Sequence, residues 1–584
     1  MANIEIPHIE ELSSYQTRHA VWLLLIVWAA FFLAQMLAPS NLMDNDQERP
    51  AAYVLDVTRN GHWACQRDEA GDVASKPPLY TWLAALTTLP FGKINLFAIY
   101  LPSALSVLGT TLLIFYAGRR WFNPGAGLCA AYIYLLSSTS LKQVALARND
   151  PVFTFTVTLT WVFLLHNWLN GGRRWIAFWF AAAAATLTKG PLGLVFASGG
   201  LWALLWERRC EDRPRNWVRP AINLAGAAFF LGVTLGWVIL AYKHTGQNFI
   251  DKVLVRELAG HAVSGVERSF EWDDAPKPFL YFLSRFAPWS LIALLGFWRT
   301  VRQPAGDADE RRAERFLFTY FFWGMLLLTL ASHKRADLNF PLLPAAALLA
   351  GREIERWLHA IRPGRVMLYA LAAALLLAVV SFAYLRDERL RKVHVRQTQL
   401  VIELARRLTE TGGAEFPVNH FYNAPFAAQF FLNTMRPELT VEESLELLRG
   451  PLPAYVLCWR EDPLWWSVRQ NPKIHEALTL GESSEPQLCL LSNQPDLRPP
   501  ESFALILKPW KIYVEHARLK RADIQEIVVE PLSDEWRLEI CNGSGTTAKF
   551  RLGIANEHGV EIHTRQAAPG SSYEFKNSGA PDAI

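Results

Sequence analysis

Long apolar runs recur through the first two thirds of this 584-residue chain, and they constrain its fold more than any other feature. A helix needs about 20 apolar residues to cross a hydrocarbon core about 30 Å thick. Hydrophobic residues make up 51% of the chain and charged residues only 19%, whereas soluble proteins carry more charge. The sequence therefore predicts a polytopic α-helical membrane protein. About eleven membrane helices are expected, near residues 20–39, 97–117, 125–141, 152–169, 175–188, 191–206, 221–242, 280–298, 316–331, 339–351 and 366–385.

The connecting loops predict how these helices are oriented. Alternate loops are rich in arginine, and they cover residues 119–120, 173–174, 207–219, 299–315 and 351–365. Because basic loops stay in the cytoplasm, we expect these loops and the N-terminus to be cytoplasmic. The N-terminus lacks the basic start and the cleavage site of a signal peptide, so the first helix is expected to remain as an anchor. The opposite side of the membrane should then hold residues 40–96, 142–151, 243–279, 332–338 and everything after about 386.

The character of the sequence changes after residue 386. Alternating helical and strand-like segments predict a small α/β domain over residues 386–497. The proline-rich stretch "NQPDLRPPES" predicts a linker, and period-two patterns such as "WRLEICNG" predict a small antiparallel β-rich domain over residues 503–584. The remaining chain divides into a cytoplasmic N-terminus, residues 1–19, and a transmembrane domain, residues 20–385.

Composition excludes some functions and leaves one covalent feature open. A net charge of +4 gives no argument for nucleic-acid binding. The six cysteines form no CxxC motif or Cys/His cluster, which argues against a zinc site built from cysteines. Cys458 and Cys489 lie in one late segment and either form a disulfide in an oxidising compartment or remain buried free thiols.

Three acids follow the first predicted membrane helix in the segment "NLMDNDQERPAAY". They are Asp44, Asp46 and Glu48. A carboxylate held near the membrane surface can accept a proton from an acceptor hydroxyl or amine. A solvated acidic loop explains the same residues equally simply, and the segment by itself does not decide between the two.

Basic residues fall on the same predicted outward face. The positive-inside rule does not favour bases there, so they predict a local anionic ligand such as a lipid phosphate. A lysine that only snorkels to the interface is the alternative for Lys76, which precedes two stiffening prolines. The candidate ligand-binding residues are Lys76, Arg148, Lys189, Arg285, Lys334 and Arg335, with the acid Asp150 beside Arg148.

A series of short motifs runs in a fixed order from about residue 40 to residue 351. It includes "DQER" (46–49), "NGHW" (60–63), "KPPL" (76–79), "LPSALS" (101–106), "ARND" (147–150), "LTKGPLG" (187–193), "APWS" (287–290) and "FPLLPAAALLAG" (340–351). In this order the motifs resemble those of the GT-C-fold membrane glycosyltransferases. The bacterial relatives of protein O-mannosyltransferases, including the aminoarabinose transferase that modifies lipid A, are the most similar in these motifs.

The resemblance implies a polyprenyl-phosphate-sugar-dependent glycosyltransferase in a bacterial inner membrane, with periplasmic C-terminal domains. A hexosyl or pentosyl group would move with inversion, in one displacement, from a donor such as an undecaprenyl-phosphate sugar. Lipid A, another surface glycan and protein all fit as acceptor. Carried over, Asp46 is the general base with Asp44 as its replacement, and Asp150 orients the acceptor or the first loop. The cations implied to hold the phosphate are Lys76, Arg49, Lys189, Lys334 and Arg335.

Two alternatives to a transferase remain open, and departures from the family's motifs support the first of them. Gln47 stands where the family has a second acid, and Leu338 stands where relatives often have tyrosine, which leaves room for an inactive binding or scaffold homologue. A lipid-linked-sugar transporter or flippase is the other alternative, but it would need charges deep within several helices. Leu258 follows Glu257 where relatives often show Glu-His, although His261 is near. The sequence therefore does not support a divalent metal site but leaves one open, and it identifies no certain cofactor.

Overall fold

The chain forms two compact units. The computed structural model describes residues 9–43, 46–68, 71–208, 217–253, 274–331, 333–358, 363–412, 416–421, 424–483, 486–522, 526–556 and 559–576. Unit 1 comprises Met1–Ala38, Val73–Thr87 and Phe97–Arg386. Unit 2 comprises Pro39–Asp72, Thr88–Leu96 and Asp387–Ile584. The segment that follows the first helix therefore belongs with the C-terminal part of the chain.

Helices account for almost all of unit 1 and for part of unit 2. In chain order they are α1 (Ile9–Leu37), α2 (Glu48–Asn60), α3 (Leu79–Thr88), α4 (Leu96–Trp121), α5 (Pro124–Leu135), α6 (Ser138–Gln143), α7 (Asn149–Leu169), α8 (Trp175–Lys189), α9 (Leu192–Ser198), α10 (Trp202–Glu207), α11 (Pro220–Thr245), α12 (Gln247–Phe249), α13 (Lys277–Arg285), α14 (Trp289–Arg302), α15 (Ala308–Leu330), α16 (Leu343–Leu358), α17 (Pro363–Arg391), α18 (Val393–Gly412), α19 (Phe426–Leu432), α20 (Val441–Arg449) and α21 (Pro463–Val468).

Six helices in the described part of the chain are long and apolar enough to cross a membrane: Thr17–Leu37 within α1, α4, α7, α11, α15 and Tyr369–Arg391 within α17. The number rises to seven if the pair α13 and α14, which is bent by 115°, forms one span. The predicted membrane protein is confirmed, but the predicted count of about eleven spans is not. Several predicted runs form apolar helices that are shorter than a span. The run 191–206, for example, corresponds to Leu192–Glu207, in which a 3₁₀ turn at Gly199–Leu201 packs against the rings of Trp323 and Phe316.

Small residues allow the helices of unit 1 to approach closely. Gly351 on α16 faces Ala130 on α5 so closely that a Cβ atom would overlap the Ala130 backbone. Gly118 on α4 meets Gly127 on α5, and a Cβ atom on Gly118 would lie 2.6 Å from the Gly127 Cα atom. Close backbone contact through small residues is how membrane helices associate where lipid removes the hydrophobic driving force. The alanine-rich motif at residues 340–351 therefore has a packing role.

A buried network of charges, which we call the Glu353 network, lies at one end of unit 1. Glu353 and Glu314 are fully buried, and each contacts Arg352, which is itself 2% exposed. Burying a charge is costly unless a partner of opposite sign is held against it. The network joins α10, α14, α15 and α16 through Glu207, Arg299, Glu310, Arg311, Glu314, Arg315, Arg352, Glu353 and Arg356.

Unit 2 contains three β-sheets. The strands are β1 (Val418–Phe421), β2 (Glu438–Leu439), β3 (Tyr455–Trp459), β4 (His475–Leu480), β5 (Leu488–Ser492), β6 (Phe503–Leu507), β7 (Trp510–Glu515), β8 (Ala517–Ala522), β9 (Glu526–Pro531), β10 (Arg537–Asn542), β11 (Ala548–Asn556), β12 (Gly559–Ala567) and β13 (Ser572–Lys576).

The first sheet of unit 2 is mixed and has the strand order β2-β1-β3-β5-β4. Strand β1 is parallel to β2 and β3, whereas β5 is antiparallel to β3 and β4. With α18 to α21 it forms an α/β arrangement. Cys458 and Cys489 lie directly opposite each other on β3 and β5, and both are buried free thiols.

The last two sheets pack face to face as a β-sandwich. Their strand orders are β13-β10-β7-β6 and β12-β11-β9-β8. Side chains from both sheets share one core, which includes Trp510, Ile512, Val529, Leu538 and Phe550. The predicted β-rich domain is therefore present. Its predicted antiparallel pairing holds except between β9 and β11, which run parallel.

Stability of the α/β domain should fall in acid because of His420. Burial, and then the nearby charge of Arg436, lower the pKa of His420 from 6.5 to about 3. The unfolded chain binds a proton near the ordinary pKa, so stability present at neutral pH is lost as pH falls from 6.5 towards 3. We expect a loss of about 2 kcal/mol between pH 7 and pH 5. Pulse proteolysis of the full chain, followed on fragments from residues 418–492, measures this loss. If a His420→Asn variant loses as much stability between pH 7 and pH 5 as the wild-type protein does, the loss is not caused by His420.

Candidate functional site

A helical hairpin brings an acid and a base together at one end of unit 1. Helix α7 begins at Asn149, and helix α8, which packs beside it, ends at Lys189. The Lys189 ammonium group donates a hydrogen bond to Oδ1 of Asp150. An acid in the first turn and a base in the last turn both suit the helix dipole. Gly190, with φ of 74°, then turns the chain away from α8.

Two of the sequence motifs meet at the start of α7. The hydroxyl of Ser103, from "LPSALS", donates to the carbonyl oxygen of Leu146 at 2.7 Å and lies 3.3 Å from that of Arg148. The Arg148 amide closes the turn by donating to the Leu146 carbonyl at 3.0 Å. These bonds hold the backbone of the "ARND" motif and thereby aim the side chains of Arg148 and Asp150.

The segment Ala336–Leu342 is anchored beside this turn. Asn339 is buried and donates from Nδ2 to the carbonyl oxygen of Pro278 at 2.7 Å. Phe340 stacks on Tyr134 with ring centroids 5.7 Å apart, and the Tyr320 hydroxyl donates to the Pro341 carbonyl at 2.8 Å. Fixed in this way, the segment presents Asp337 to the residues around α7.

Arg148 connects the two acids. Its Nη2 atom lies 3.1 Å from Oδ2 of Asp150, and its Nη1 atom donates to Oδ2 of Asp337 at 2.8 Å. Lys142 on α6 and Arg335 approach the same Asp337 carboxylate at 4.0 and 3.9 Å. We call the six side chains the Asp150 cluster: Lys142, Arg148, Asp150, Lys189, Arg335 and Asp337.

Burial and charge give the Asp150 cluster its chemical character. The side chains of Asp150 and Arg148 are 8% and 10% exposed, whereas those of Arg335 and Lys142 are 40% and 45% exposed. Four cations share two carboxylates, so the cluster carries an excess of two positive charges. Partly buried cations of this kind can bind an anionic group at the membrane surface.

The Asp150 cluster and the Glu353 network lie at opposite ends of unit 1. Helix α15 begins at the Glu353 network and ends just before the segment that carries Asp337. Its 23 residues rise about 35 Å, which is close to the thickness of a hydrocarbon core. The charges of unit 1 therefore gather at the two faces of an apolar slab.

The structure brings together four of the residues predicted from the sequence, Arg148, Asp150, Lys189 and Arg335. Two further members of the cluster, Lys142 and Asp337, were not among the predicted site residues. Lys142 lies on the predicted outward loop, so its sign and its position could have suggested it. Asp337 gave no such signal, because an acid within "SHKRAD" looks like a simple counter-ion to its basic neighbours.

Three other predicted binding residues also lie in unit 1, although they are not members of the cluster. Lys76 is half-buried in the segment that leads into α3. Lys334 is half-buried next to Arg335. Arg285 is exposed at the end of α13. Its carbonyl oxygen accepts a hydrogen bond at 2.6 Å from the hydroxyl of Ser138, which lies on α6, the short helix that also carries Lys142.

The predicted general base lies in unit 2. Asp46 is exposed and has a left-handed backbone with φ of 54°, a conformation that aspartate tolerates better than most residues. The next residue, Gln47, is buried and donates to the Asn41 carbonyl at 2.8 Å. Arg49 is exposed, with its Nε atom 4.0 Å from Asp68. The alternative base, Asp44, lies outside the described residues.

A buried carboxylate organises the loop that follows α2. Asp56 accepts hydrogen bonds from Nδ2 of Asn60 at 2.7 Å and from the Arg67 amide at 2.8 Å. Its Oδ1 atom also lies 3.0 Å from Nδ1 of His62. Gly61, with φ of 74°, ends the helix between these partners. The "NGHW" motif thus folds back on Asp56, which gives this acid a structural role.

The β-sandwich contacts the helix that follows Asp46. Arg521 on β8 donates a hydrogen bond to the carbonyl oxygen of Arg59, in the last turn of α2. Glu526 on β9 holds the same guanidinium group, with Oε2 3.1 Å from Nη1. A cation suits the C-terminus of a helix, where unpaired carbonyl groups carry partial negative charge. The C-terminal domain therefore supports the first loop.

Removal of the Arg521 side chain should loosen α2. We expect amide exchange in residues 55–60 to accelerate about 5- to 10-fold in Arg521→Ala, because a charge-assisted hydrogen bond to the helix end is lost. Hydrogen–deuterium exchange of the full chain measures the effect. Arg518→Ala, which removes an exposed arginine from the same strand, is the matched control. Equal exchange rates in the two variants would rule out support through Arg521.

No group of three or more histidine, cysteine or acidic side chains within the described ranges could hold a metal ion. Glu257 and Leu258, the positions at which relatives often show Glu-His, lie outside those ranges. The Asp150 cluster is built from cations and carboxylates.

Known proteins are similar to this chain in sequence and in architecture. Residues 75–239 match the family model for dolichyl-phosphate-mannose-protein mannosyltransferase. A crystal structure of ArnT from Cupriavidus metallidurans bound to undecaprenyl phosphate superposes with a TM-score of 0.64, at 16% identity, over 83% of this chain and 99% of that chain. The chain has the GT-C fold. The resemblance predicted from the sequence is thereby confirmed.

Curated proteins that are similar to this chain include arabinosyl transferases. The undecaprenyl phosphate-alpha-4-amino-4-deoxy-L-arabinose arabinosyl transferase 1 of Pseudomonas fluorescens (strain Pf0-1) is 25% identical over an alignment of 406 residues. The alignment covers 66% of this chain and 67% of the relative. The corresponding transferase of Pseudomonas aeruginosa is 28% identical over 390 residues, 63% of this chain and 66% of the relative. This chain thus spans about two thirds of the length of these relatives.

Proposed function

We propose that the protein transfers a sugar from a polyprenyl-phosphate-linked donor to an acceptor at the membrane surface. The observation that carries the proposal is the Asp150 cluster, with its excess of cations at one end of an apolar helical unit. A polyprenyl chain suits the lipid around such a unit, and its phosphate would then lie at the depth of the cations. The similarity to arabinosyl transferases that use undecaprenyl phosphate supports this assignment.

The cations would bind the phosphate and offset the charge that develops on it. Arg148 and Lys189 are the best placed, because Asp150 orients both of them from within the site. Arg335, Lys334 and Lys76 would add further positive charge. Fixed cations of this kind stabilise a leaving phosphate in the transition state more than they stabilise the bound donor.

Asp150 is better suited to positioning than to proton transfer. Its two carboxylate oxygens contact Lys189 and Arg148, and both cations favour its charged form. Asp46 remains the proposed general base, with Asp44 as its replacement, because an exposed carboxylate can reach an acceptor. Arg49 and Arg285 remain proposed sources of positive charge for the phosphate.

The proposed reaction is a single displacement. The acceptor oxygen or nitrogen attacks the anomeric carbon, the bond from that carbon to the phosphate oxygen breaks, and the configuration inverts. The phosphate leaves with the bonding electron pair as a polyprenyl phosphomonoester, and Asp46 takes the acceptor proton. Because a phosphate is a good leaving group, the reaction needs no strong general acid.

The names of the relatives suggest which sugar the proposed reaction transfers. A pentosyl group such as 4-amino-4-deoxy-L-arabinose is the preferred donor sugar, with a hexosyl group as the second choice. The acceptor is lipid A, another surface glycan or a protein. We place the Asp150 end of unit 1 and unit 2 in the periplasm of a bacterial cell, with the Glu353 end in the cytoplasm, as the arginine-rich loops predict.

Transport is the less favoured function. A transporter for a charged lipid would need polar groups along its helices, whereas the ion pairs described in unit 1 gather at helix ends. An inactive scaffold homologue that binds no lipid would have no need for two acids and four cations held in contact at one end of unit 1.

Sugar transfer should depend on both Asp46 and Lys76. We expect a glycosylated lipid or protein species in cells that carry the intact chain, with its yield reduced about 100-fold or more in Asp46→Asn, because a general base contributes 10² to 10⁴ to such a rate. Lys76→Ala should also lower the yield. Mass spectrometry of lipid and protein extracts identifies the acceptor and the mass of the sugar.

An exposed acid elsewhere in unit 2 provides the control. Asp534→Asn removes a carboxylate from the turn between β9 and β10 and should leave the yield unchanged. Full transfer by Asp46→Asn combined with loss in Asp44→Asn would move the base to Asp44. Full transfer by both Asp46→Asn and Lys76→Ala would defeat the proposed site.

A further inference from the structure

Asp337 is a carboxylate for which the proposed reaction has no role, yet it lies among the cations that the reaction needs. Its Oδ2 atom accepts a hydrogen bond from Arg148 at 2.8 Å and lies 3.9 Å from Arg335. Its Oδ1 atom lies 4.0 Å from Lys142. Three cations from three separate segments thus surround one carboxylate, which is the arrangement in which proteins bind a phosphate.

The position of Asp337 is built into the fold. Asn339, Phe340 and Pro341 anchor its segment through buried hydrogen bonds and ring stacking, so Asp337 cannot drift far from Arg148. Asp150 meanwhile holds the other side of the same guanidinium group. A phosphate that binds Arg148 must therefore share it with Asp337 or displace this carboxylate from it.

Competition of this kind acts unequally on the two phosphates of the proposed reaction. The phosphodiester of a lipid-linked sugar carries one negative charge. The phosphomonoester that remains after transfer carries about 1.5 to 2 negative charges at pH 7. A fixed carboxylate repels the more highly charged ligand more strongly. It therefore weakens the binding of the product more than that of the donor.

We propose that Asp337 competes with the lipid phosphate for Arg148, Arg335 and Lys142, and that this competition favours release of the phosphomonoester product. The inference rests on the proposed function and names the residue that sets the affinity of its phosphate site. Asp337 acts through the cations and does not need to touch the sugar or the acceptor.

Binding of two lipid probes to the full-length protein in nanodiscs tests the inference. Farnesyl phosphate represents the monoester, and methyl farnesyl phosphate represents the diester. We expect Asp337→Asn to tighten binding of the monoester at least about 5-fold and that of the diester at most about 2-fold. The Asp337 carboxylate repels the monoester, which carries about two negative charges, more strongly than the diester, which carries one, so its removal favours the monoester more. Isothermal titration calorimetry gives both affinities.

Two variants control for charge and for structure. Asp337→Glu keeps the negative charge and should retain the wild-type ratio of the two affinities. Asp309→Asn removes a carboxylate that pairs with Arg312 at 2.6 Å at the opposite end of unit 1, and it should change neither affinity. If Asp337→Asn fails to fold, Asp337→Ser is a second neutral variant for the same measurement.

The outcomes separate the inference from the proposed function. Equal tightening of both lipids, or weaker binding of the monoester, in folded neutral variants would overturn the role of Asp337 alone. Wild-type protein that binds neither lipid would overturn the proposed phosphate site and the role of Asp337 with it. A preferential gain for the monoester supports the competition.

Discussion

The ion pair of Arg148 with two carboxylates is the interaction on which the candidate site depends. One partner, Asp150, lies two residues further along the same segment, and the other, Asp337, lies 189 residues away in sequence. A guanidinium group offers donors on more than one edge, so a single arginine can join both acids. Without this connection, Asp337 of the Ala336–Leu342 segment would be unrelated to the Asp150–Lys189 pair that joins α7 and α8. With it they form one partly buried binding surface.

The charged side chains of the two clusters in unit 1 lie where a membrane protein can accommodate them. Ionised side chains are costly within hydrocarbon, and those of the two described clusters lie at the ends of the helices and are paired. The two ends differ in a way that fits different tasks. In the Glu353 network, Glu207, Glu314 and Glu353 are at most 1% exposed and contact arginines of packed helices, which holds those helices together. In the Asp150 cluster, Lys142 and Arg335 are 45% and 40% exposed, so positive charge remains accessible to a ligand.

Unit 2 shows why order along the chain is a poor guide to partnership. The first loop, with Asp46 and α2, belongs with domains that begin more than 300 residues later. Arg521 binds the end of α2, while Asp56 ties the following turn to its own helix. A β-sandwich added after the α/β domain can thereby influence the segment that carries the proposed base, without supplying any reacting group itself.

The sequence by itself determined the membrane character, the GT-C resemblance and the approximate place of each helix, because apolar runs and ordered motifs are local properties. It also predicted Arg148, Asp150, Lys189 and Arg335 as candidate site residues, since charges at the ends of apolar runs are visible in one dimension, and the structure places these four side chains in one cluster. Its count of about eleven spans is not confirmed, because composition alone does not fix where a helix ends, and runs such as Leu192–Glu207 form shorter apolar helices among the described residues. Only the tertiary structure decided that Asp337 and Lys142 join the cluster and that Arg521 supports α2. These partnerships join residues far apart in the chain, and their geometry arises from the packing of whole helices and sheets.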